Sequence, residues 1–385
     1  MNISESDYGL YIHIPFCVSK CSYCAFYSVK YNSLQIQSYL NALSLELNFL
    51  PFIPNRPSTI YLGGGTPSLI EIENLYKLFD NLCVDLSSSN EISIEVNPAT
   101  ISKEKIIRYK DLGINRISVG VQSLDDNELK LLSRIHNRKD VLDTLDILFS
   151  QGIENVSVDL IYGIPSQTTT SLEKTIYTLL DNFPIKHIST YNLNYEQGTK
   201  FYEQLENNLI TPIDENLEVE MYKSIQDICE NYGLLQYELS SFAKDNFKCI
   251  HNMLYWNNQP YIGLGASAHS FIPKLNYRWS NISDVVLYID NLINNLSPIA
   301  TQEYLGDREL IEERIMLSLR LIDGLDLKLF EQEFQFNLED YLPSKLIANK
   351  FLEIAENKLR IPKDKLFLSN EIISELLIGI RHPDY

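Results

Sequence analysis

The sequence predicts an α/β protein, a partial (β/α)6 barrel followed by a smaller, mostly helical C-terminal domain. Three observations carry that expectation. Short β-rich runs alternate with amphipathic stretches through about half the chain, the pattern of repeated βα units around a parallel sheet. The runs number six, too few for a complete eight-stranded barrel. From Leu305 onward the apolar period becomes helical.

In chain order the β-rich runs are residues 10–14, 59–62, 92–96, 116–121, 156–161 and 188–193. Helical candidates lie between them at 34–49, 69–82, 103–112, 141–151 and 171–181. A motif follows each of the first five runs. These are the cysteine segment from Cys17 to Cys24, Gly63-Gly64-Gly65-Thr66-Pro67, Glu95-Val96-Asn97-Pro98, Gly120-Val121-Gln122-Ser123, and Asp159-Leu160-Ile161-Tyr162-Gly163-Ile164-Pro165. Functional residues of such barrels gather at the C-terminal ends of strands, so five motifs on one rim point to one site. Glycine and proline also occur at strand ends simply to turn the chain. The tail should hold helices at 308–321, 327–334, 341–355 and 371–380, with Gly324 as a helix stop and short strands at 359–362 and 366–368. Residues 1–280 and 305–385 then form two domains joined near 281–304. The tail resembles a winged helix in outline, but its acidity disfavours DNA binding.

A chain of 385 residues with 45% hydrophobic content can build one large core and a smaller one. Against 51 acidic residues stand 32 basic ones, a net charge of −19 that disfavours nonspecific binding to nucleic acid. Residues 1–8 include Glu5 and Asp7 and lack the basic cluster and apolar core of a signal peptide. The apolar run at 43–53 holds Glu46 and is interrupted by Pro51, so no membrane span is expected. These features predict a soluble cytoplasmic protein whose six cysteines stay reduced. Cys83 and Cys229 are expected to be buried small apolar residues.

Cys17, Cys21 and Cys24, with three residues and then two between them, directly follow the first β-rich run. Three thiolates can hold a cubane iron–sulfur cluster by three of its four irons, leaving the fourth iron open to a small molecule. A structural zinc site is the alternative. Such sites are usually closed by four protein ligands, and no second Cys or His pair follows at finger spacing. His13 could complete one, yet it lies mid-strand, four residues before Cys17.

The segment from Tyr11 to Phe26 resembles the signature of the radical S-adenosylmethionine superfamily. Within it the chain is similar to the oxygen-independent coproporphyrinogen III oxidase group, and most closely to its HemW branch of heme chaperones, from about Leu10 to about His269 and more weakly beyond. The oxidase proper carries a fourth cysteine two residues after the third, whereas here Cys24 is followed by Ala25 and Phe26, as in the HemW branch. The resemblance implies a radical-SAM barrel with a 4Fe-4S cluster on Cys17, Cys21 and Cys24. S-adenosyl-L-methionine would be chelated at the open iron, where one electron breaks its carbon–sulfur bond and gives a deoxyadenosyl radical. By the same resemblance Gly64, Gly65 and Thr66 contact the methionine amino group and neighbouring atoms, and Tyr11 packs beside the cluster and its ligand. Glu95, Gln122, Arg134 and Asp159 match the remaining cofactor-contact positions. Their chemistry is suitable, since carboxylates accept from ribose hydroxyls or an ammonium and Arg134 can pair with a carboxylate. The rival readings are a buried ion pair for Glu95 and Asp159, a core aromatic for Tyr11 and an ordinary surface arginine for Arg134.

Cys249-Ile250-His251-Asn252-Met253-Leu254-Tyr255-Trp256 points beyond the superfamily. His251 and Cys249 could supply axial ligands to a heme iron, Met253 is a softer candidate, and Tyr255 and Trp256 could stack on a macrocycle. The pattern His-Asn-x-x-Tyr-Trp resembles a HemW-branch motif associated with heme handling. The alternative has His251 anchoring a loop by hydrogen bonds while Tyr255 and Trp256 close the barrel mouth. His269, His136 and His187 are expected as satisfied core histidines, and His382 as incidental. The function these features imply is a heme chaperone that delivers heme to acceptor hemoproteins, a class that includes membrane-bound respiratory proteins. The rivals are an oxygen-independent coproporphyrinogen III oxidase, which removes two propionate carboxyls, and a radical enzyme with an unrelated substrate.

Overall fold

The computed structural model describes residues 8–50 and 55–380. All six expected strands are present, as β1 (Gly9–Ile14), β2 (Thr59–Gly64), β3 (Glu91–Val96), β4 (Arg116–Gln122), β5 (Asn155–Tyr162) and β6 (His187–Asn192). Each pairs in parallel with the next. The sheet extends further than the sequence predicts. Beyond β6 it continues antiparallel through β7 (Leu235–Gln236) and β8 (Ser241–Ala243). On the other side of β1 lies a seventh parallel strand, β9 (Tyr261–Leu264), followed antiparallel by β10 (His269–Ile272), β11 (Tyr277–Asn281) and β12 (Ile299–Tyr304). The order β12-β11-β10-β9-β1-β2-β3-β4-β5-β6-β8-β7 leaves β12 and β7 as separate edges, so the barrel is partial.

The crossovers are helical, beginning with α1 (Ser33–Glu46), α2 (Ile72–Leu82), α3 (Lys103–Asp111), α4 (Asp126–Leu131), α5 (Arg138–Ser150) and α6 (Thr169–Asn182). Side chains start them: Asn32 accepts from the Leu34 and Gln35 amides, and Asn137 with Asp140 and Thr168 with Ser171 form capping boxes. After β6 come α7 (Lys200–Glu206), α8 (Glu215–Asn231), α9 (Ile250–Trp256), α10 (Val285–Ile293) and α11 (Asp307–Ser318).

Strand burial locates the site. Nearly every residue of the central strands is buried, as expected where helices cover a parallel sheet. A few inward positions stay accessible, among them Tyr11, Tyr61, Glu95, Gln122, Asp159 and Tyr191. Tyr191 is 46% exposed although the four residues before it in the strand are buried. These residues line a water-accessible lumen.

The segment expected to join two domains is instead part of the first body. Its helix α10 packs on α1, with the Tyr288 and Tyr39 rings 5.4 Å apart, and β12 pairs with β11. The tail has a core of its own, built on Ile315, Leu319, Phe330, Leu359 and Leu376. It is less helical than expected. Pro343 and the left-handed Lys350 break the anticipated 341–355 helix into Ser344–Ala348 and a strand, Glu353–Ala355. That strand pairs with Lys358–Arg360, which in turn pairs with Leu325–Asp326. The strand expected at 366–368 is the end of a 3-10 helix, Lys363–Leu368. Among the described residues no helix is long and apolar enough to cross a membrane.

Candidate functional site

The cysteine loop leaves the C-terminal end of β1. Phe16–Cys17 pairs in parallel with Val29–Lys30, and the Tyr31 amide donates to the Cys17 carbonyl at 2.8 Å, closing the loop. Its middle is tied down by Leu132 and Ser133: the Ser22 amide donates to the Leu132 carbonyl at 3.2 Å, and the Ser22 and Ser133 hydroxyls are 2.6 Å apart. Cys17, Cys21 and Cys24 are all half-buried. Burial pushes the Cys17 and Cys24 thiols up from their ordinary range.

The end of β2 lies against that loop, and its glycines have packing reasons of their own. Gly64 has φ +114°, and a Cβ there would sit 2.6 Å from the His13 ring. At Gly65 a Cβ would lie 2.8 Å from the Phe16 carbonyl oxygen, directly before Cys17. The Gly65 amide donates to the Ile14 carbonyl at 2.8 Å. Glycine at 65 therefore lets strand end and cysteine loop touch through their backbones, and glycine at 64 leaves room for the His13 ring.

Thr66, Asn97 and Arg134 meet beside the sulfurs. The Thr66 hydroxyl donates to Cys17 Sγ at 3.6 Å and accepts from Asn97 Nδ2 at 2.9 Å. Arg134 Nη2 donates to Asn97 Oδ1 at 2.6 Å and to the Gly120 carbonyl at 2.9 Å, while Nη1 donates to Cys21 Sγ at 3.5 Å. Arg134 is thus held against the cysteine loop rather than facing solvent. Asn97 lies in the Glu95-Val96-Asn97-Pro98 motif, but its partners Thr66 and Arg134 are distant in the chain, so nothing local marks it.

Deeper in the lumen Glu95 accepts from the Gly64 amide and the Tyr61 hydroxyl, each at 3.0 Å. Burial, reinforced by Asp159, raises its pKa to about 7. Asp159 accepts from the Ser118 hydroxyl at 2.9 Å, and burial raises it to about 6. Among the described residues neither carboxylate forms a salt bridge. Gln122 ends β4 at φ +65°, where the register with β5 shifts. The Tyr11 and Tyr61 rings stack at 6.3 Å, and Tyr61 and Tyr191 complete a tyrosine-rich wall that no sequence motif marks.

The residues of the histidine motif lie elsewhere. Thr59 and Glu91 begin β2 and β3, about 16 Å from the strand ends that carry the cysteine loop. His251 is fully buried there, with Nδ1 2.7 Å from Thr59 Oγ1, Nε2 2.7 Å from the Tyr255 hydroxyl, and its ring stacked on Tyr61 at 5.2 Å. Burial lowers its pKa to about 3. Glu91 accepts from the His251 and Ile250 amides and from Cys249 Sγ, whose thiol burial pushes up to about 12. Cys249 and His251, read from the sequence as possible axial ligands, are both held by protein partners in this conformation, as the alternative of a loop-anchoring His251 would have it. Tyr255 and Trp256 are half-buried on α9.

Of the other histidines, His269 is exposed rather than in the core, whereas His136, held by Arg134 and the Val121 carbonyl, and His187, held by Ser157 and Tyr237, are buried as expected. Cys229 is buried as expected, whereas Cys83 is exposed at a left-handed helix end. His382 lies outside the described residues.

The donor set fits an anionic iron–sulfur cluster. Three thiols share one loop, a hydroxyl and a guanidinium aim at two of them, and the Ser28 hydroxyl lies beside Cys17. The zinc alternative fits poorly. Both His13 ring nitrogens are engaged, by the Tyr11 hydroxyl at 2.9 Å and the Tyr27 carbonyl at 3.1 Å. The chemistry of the Glu95 and Asp159 carboxylates and of Gln122 suits the ammonium and ribose hydroxyls of S-adenosylmethionine.

A parallel βα sheet with this cysteine loop on its C-terminal rim defines a radical S-adenosylmethionine protein, and residues 11–179 match the Radical SAM superfamily while 305–364 match the HemN C-terminal domain. The chain is 35% identical over 375 residues to the Bacillus subtilis protein called heme chaperone HemW, covering 95% of this chain and 98% of that one. It is 30% identical to the mitochondrial radical S-adenosyl methionine domain-containing protein 1 of Mus musculus, covering 96% and 87%. Among solved structures it resembles the Escherichia coli coproporphyrinogen III oxidase, with a TM-score of 0.81 at 21% identity over 96% of this chain and 90% of that one, a likeness of fold. The chain belongs to the HemW family. The cofactors of its superfamily are a 4Fe-4S cluster and S-adenosylmethionine.

Proposed function

We propose that the chain is a heme chaperone, which binds heme, holds a 4Fe-4S cluster and S-adenosylmethionine at the barrel rim, and delivers heme to acceptor hemoproteins from the cytoplasm. The observation that carries this reading is likeness over essentially the whole chain to proteins named heme chaperones, at 35% and 31% identity. Phe26, 71% exposed where the oxidase group has its additional cysteine, supports it over decarboxylation of coproporphyrinogen III. Membrane-bound respiratory proteins are the acceptors we favour.

When bound, the cluster and S-adenosylmethionine supply one-electron reductive chemistry. The chain's own residues hold and insulate. Cys17, Cys21 and Cys24 would hold the cluster, with Thr66 and Arg134 donating to the Cys17 and Cys21 sulfurs. Glu95 and Asp159, raised to about 7 and about 6, can accept or donate near neutrality, beside Tyr11, Gly64, Gly65 and Gln122. Heme contact through Cys249, His251, Tyr255 and Trp256 calls for a second state of α9, in which His251 leaves Thr59 and Tyr255 and Cys249 leaves Glu91.

The test uses anaerobically reconstituted protein, titrated with hemin in one arm and given coproporphyrinogen III, reductant and S-adenosylmethionine in the other. Saturable heme binding without carbon dioxide or protoporphyrinogen is expected. Stoichiometric decarboxylation would replace this reading with the oxidase.

A further inference from the structure

Hydrogen-bonding capacity fixes the direction of every proton between Cys21 and Cys17. Arg134 can only donate, so the Asn97 atom 2.6 Å from its Nη2 is the carbonyl oxygen. The Asn97 amide nitrogen must then face Thr66, 2.9 Å away, and donate to its hydroxyl oxygen. With that oxygen accepting, the single Thr66 proton is left to point at Cys17 Sγ. Asn97 itself is held at the backbone, where its amide donates to the Ser68 hydroxyl at 3.3 Å and its carbonyl accepts from the Thr100 hydroxyl at 2.6 Å. One neutral side chain, 31 residues from Thr66 and 37 from Arg134, joins the donors to two sulfurs.

We infer that Asn97 is a positioning residue, which aims the Thr66 hydroxyl at Cys17 and couples it to Arg134 at Cys21, so that two cluster sulfurs receive their hydrogen bonds as one unit. The inference rests on the reading that Cys17, Cys21 and Cys24 hold the cluster. Hydrogen bonds to cluster sulfurs stabilise the more negative, reduced form and raise its potential. Removing Asn97 frees the Thr66 proton to turn elsewhere, and reduction becomes harder.

The experiment is a spectroscopically monitored redox titration of reconstituted protein, with iron and sulfide measured beforehand. Asn97→Leu is expected to lower the reduced-to-oxidised ratio at a fixed potential about tenfold, a downward midpoint shift of about 59 mV for one electron. Thr66→Val is expected to do the same, the double variant no more than either, and Thr66→Ser to stay near the parent. An unchanged midpoint in Asn97→Leu, or shifts that add in the double variant, would overturn the inference. If Asn97→Leu does not fold by circular dichroism, Asn97→Asp replaces it, since its carboxylate still pairs with Arg134 but takes the Thr66 proton. Its downward shift should shrink in a Thr66→Val background, whereas an equal shift in both backgrounds reports charge alone and rejects the coupling. Parent protein that takes up no iron and sulfide contradicts the cysteine assignment itself, and the inference falls with it.

Discussion

The spacing of Cys17, Cys21 and Cys24 is local, so three cysteines on one loop need no tertiary information to be noticed, and their proposed role as cluster ligands is open to direct test. Replacing all three by alanine should abolish iron and sulfide uptake, while Cys83→Ala and Cys229→Ala should leave it intact, as chemical analysis of reconstituted protein would show. Retention of both elements in the triple variant would refute the assignment. Gly65 was legible only in part. Its residue type suggested close approach of a ligand, but the nearest group to an added Cβ is the Phe16 carbonyl, 2.8 Å away. Gly65→Ala should therefore displace the cysteine loop and lower cluster content, measured as iron per chain, as well as weaken cofactor binding. Nothing in the sequence marks Asn97 or Tyr61, because polar and aromatic side chains on strands acquire meaning only when partners from elsewhere in the chain arrive.

Among the elements, the six βα strands could be read from their apolar runs, which follow from burial against helices on a parallel sheet. The seventh parallel strand β9 was missed. Its sequence, Tyr261-Ile262-Gly263-Leu264, is short and glycine-interrupted, and it returns to β1 from some 250 residues away. The segment at 249–256 was legible as a motif but not as a place, since only the fold shows α9 capped by Glu91 at the start of β3. His251→Ala strips the partner from both Thr59 and Tyr255, at an expected cost of about 1–3 kcal/mol in a denaturant titration. Under the proposed function it also lowers heme affinity, seen as a weakened or shifted Soret band. A variant that loses stability yet binds heme like the parent would assign His251 to the frame alone.

For the whole molecule, the α/β class, the partial barrel and the separate tail core follow from periodicity, whereas the joint at 281–304 was misjudged because α10 packs on α1, far upstream. Glu46 is the buried group at that contact, accepting from Tyr288, Asn281 and the Gly265 amide. Burial raises its pKa from 4.5 to about 7. The folded chain thus keeps a proton that the unfolded chain releases between those values, so the group's contribution to stability is full below the lower value and lost as pH rises through the upper. Urea midpoints compared at about pH 5 and about pH 8 should show that loss, and Glu46→Gln should remove this part of the slope. An unchanged slope in Glu46→Gln would place the titration elsewhere.

The central claim is that this radical S-adenosylmethionine fold moves heme. Anaerobic, heme-loaded protein mixed with an apo-hemoprotein should hand over its heme faster than free hemin exchanges at the same concentration, followed as growth of the acceptor's Soret band. Heme that stays on the chain, or that reaches the acceptor no faster than free hemin, would contradict it.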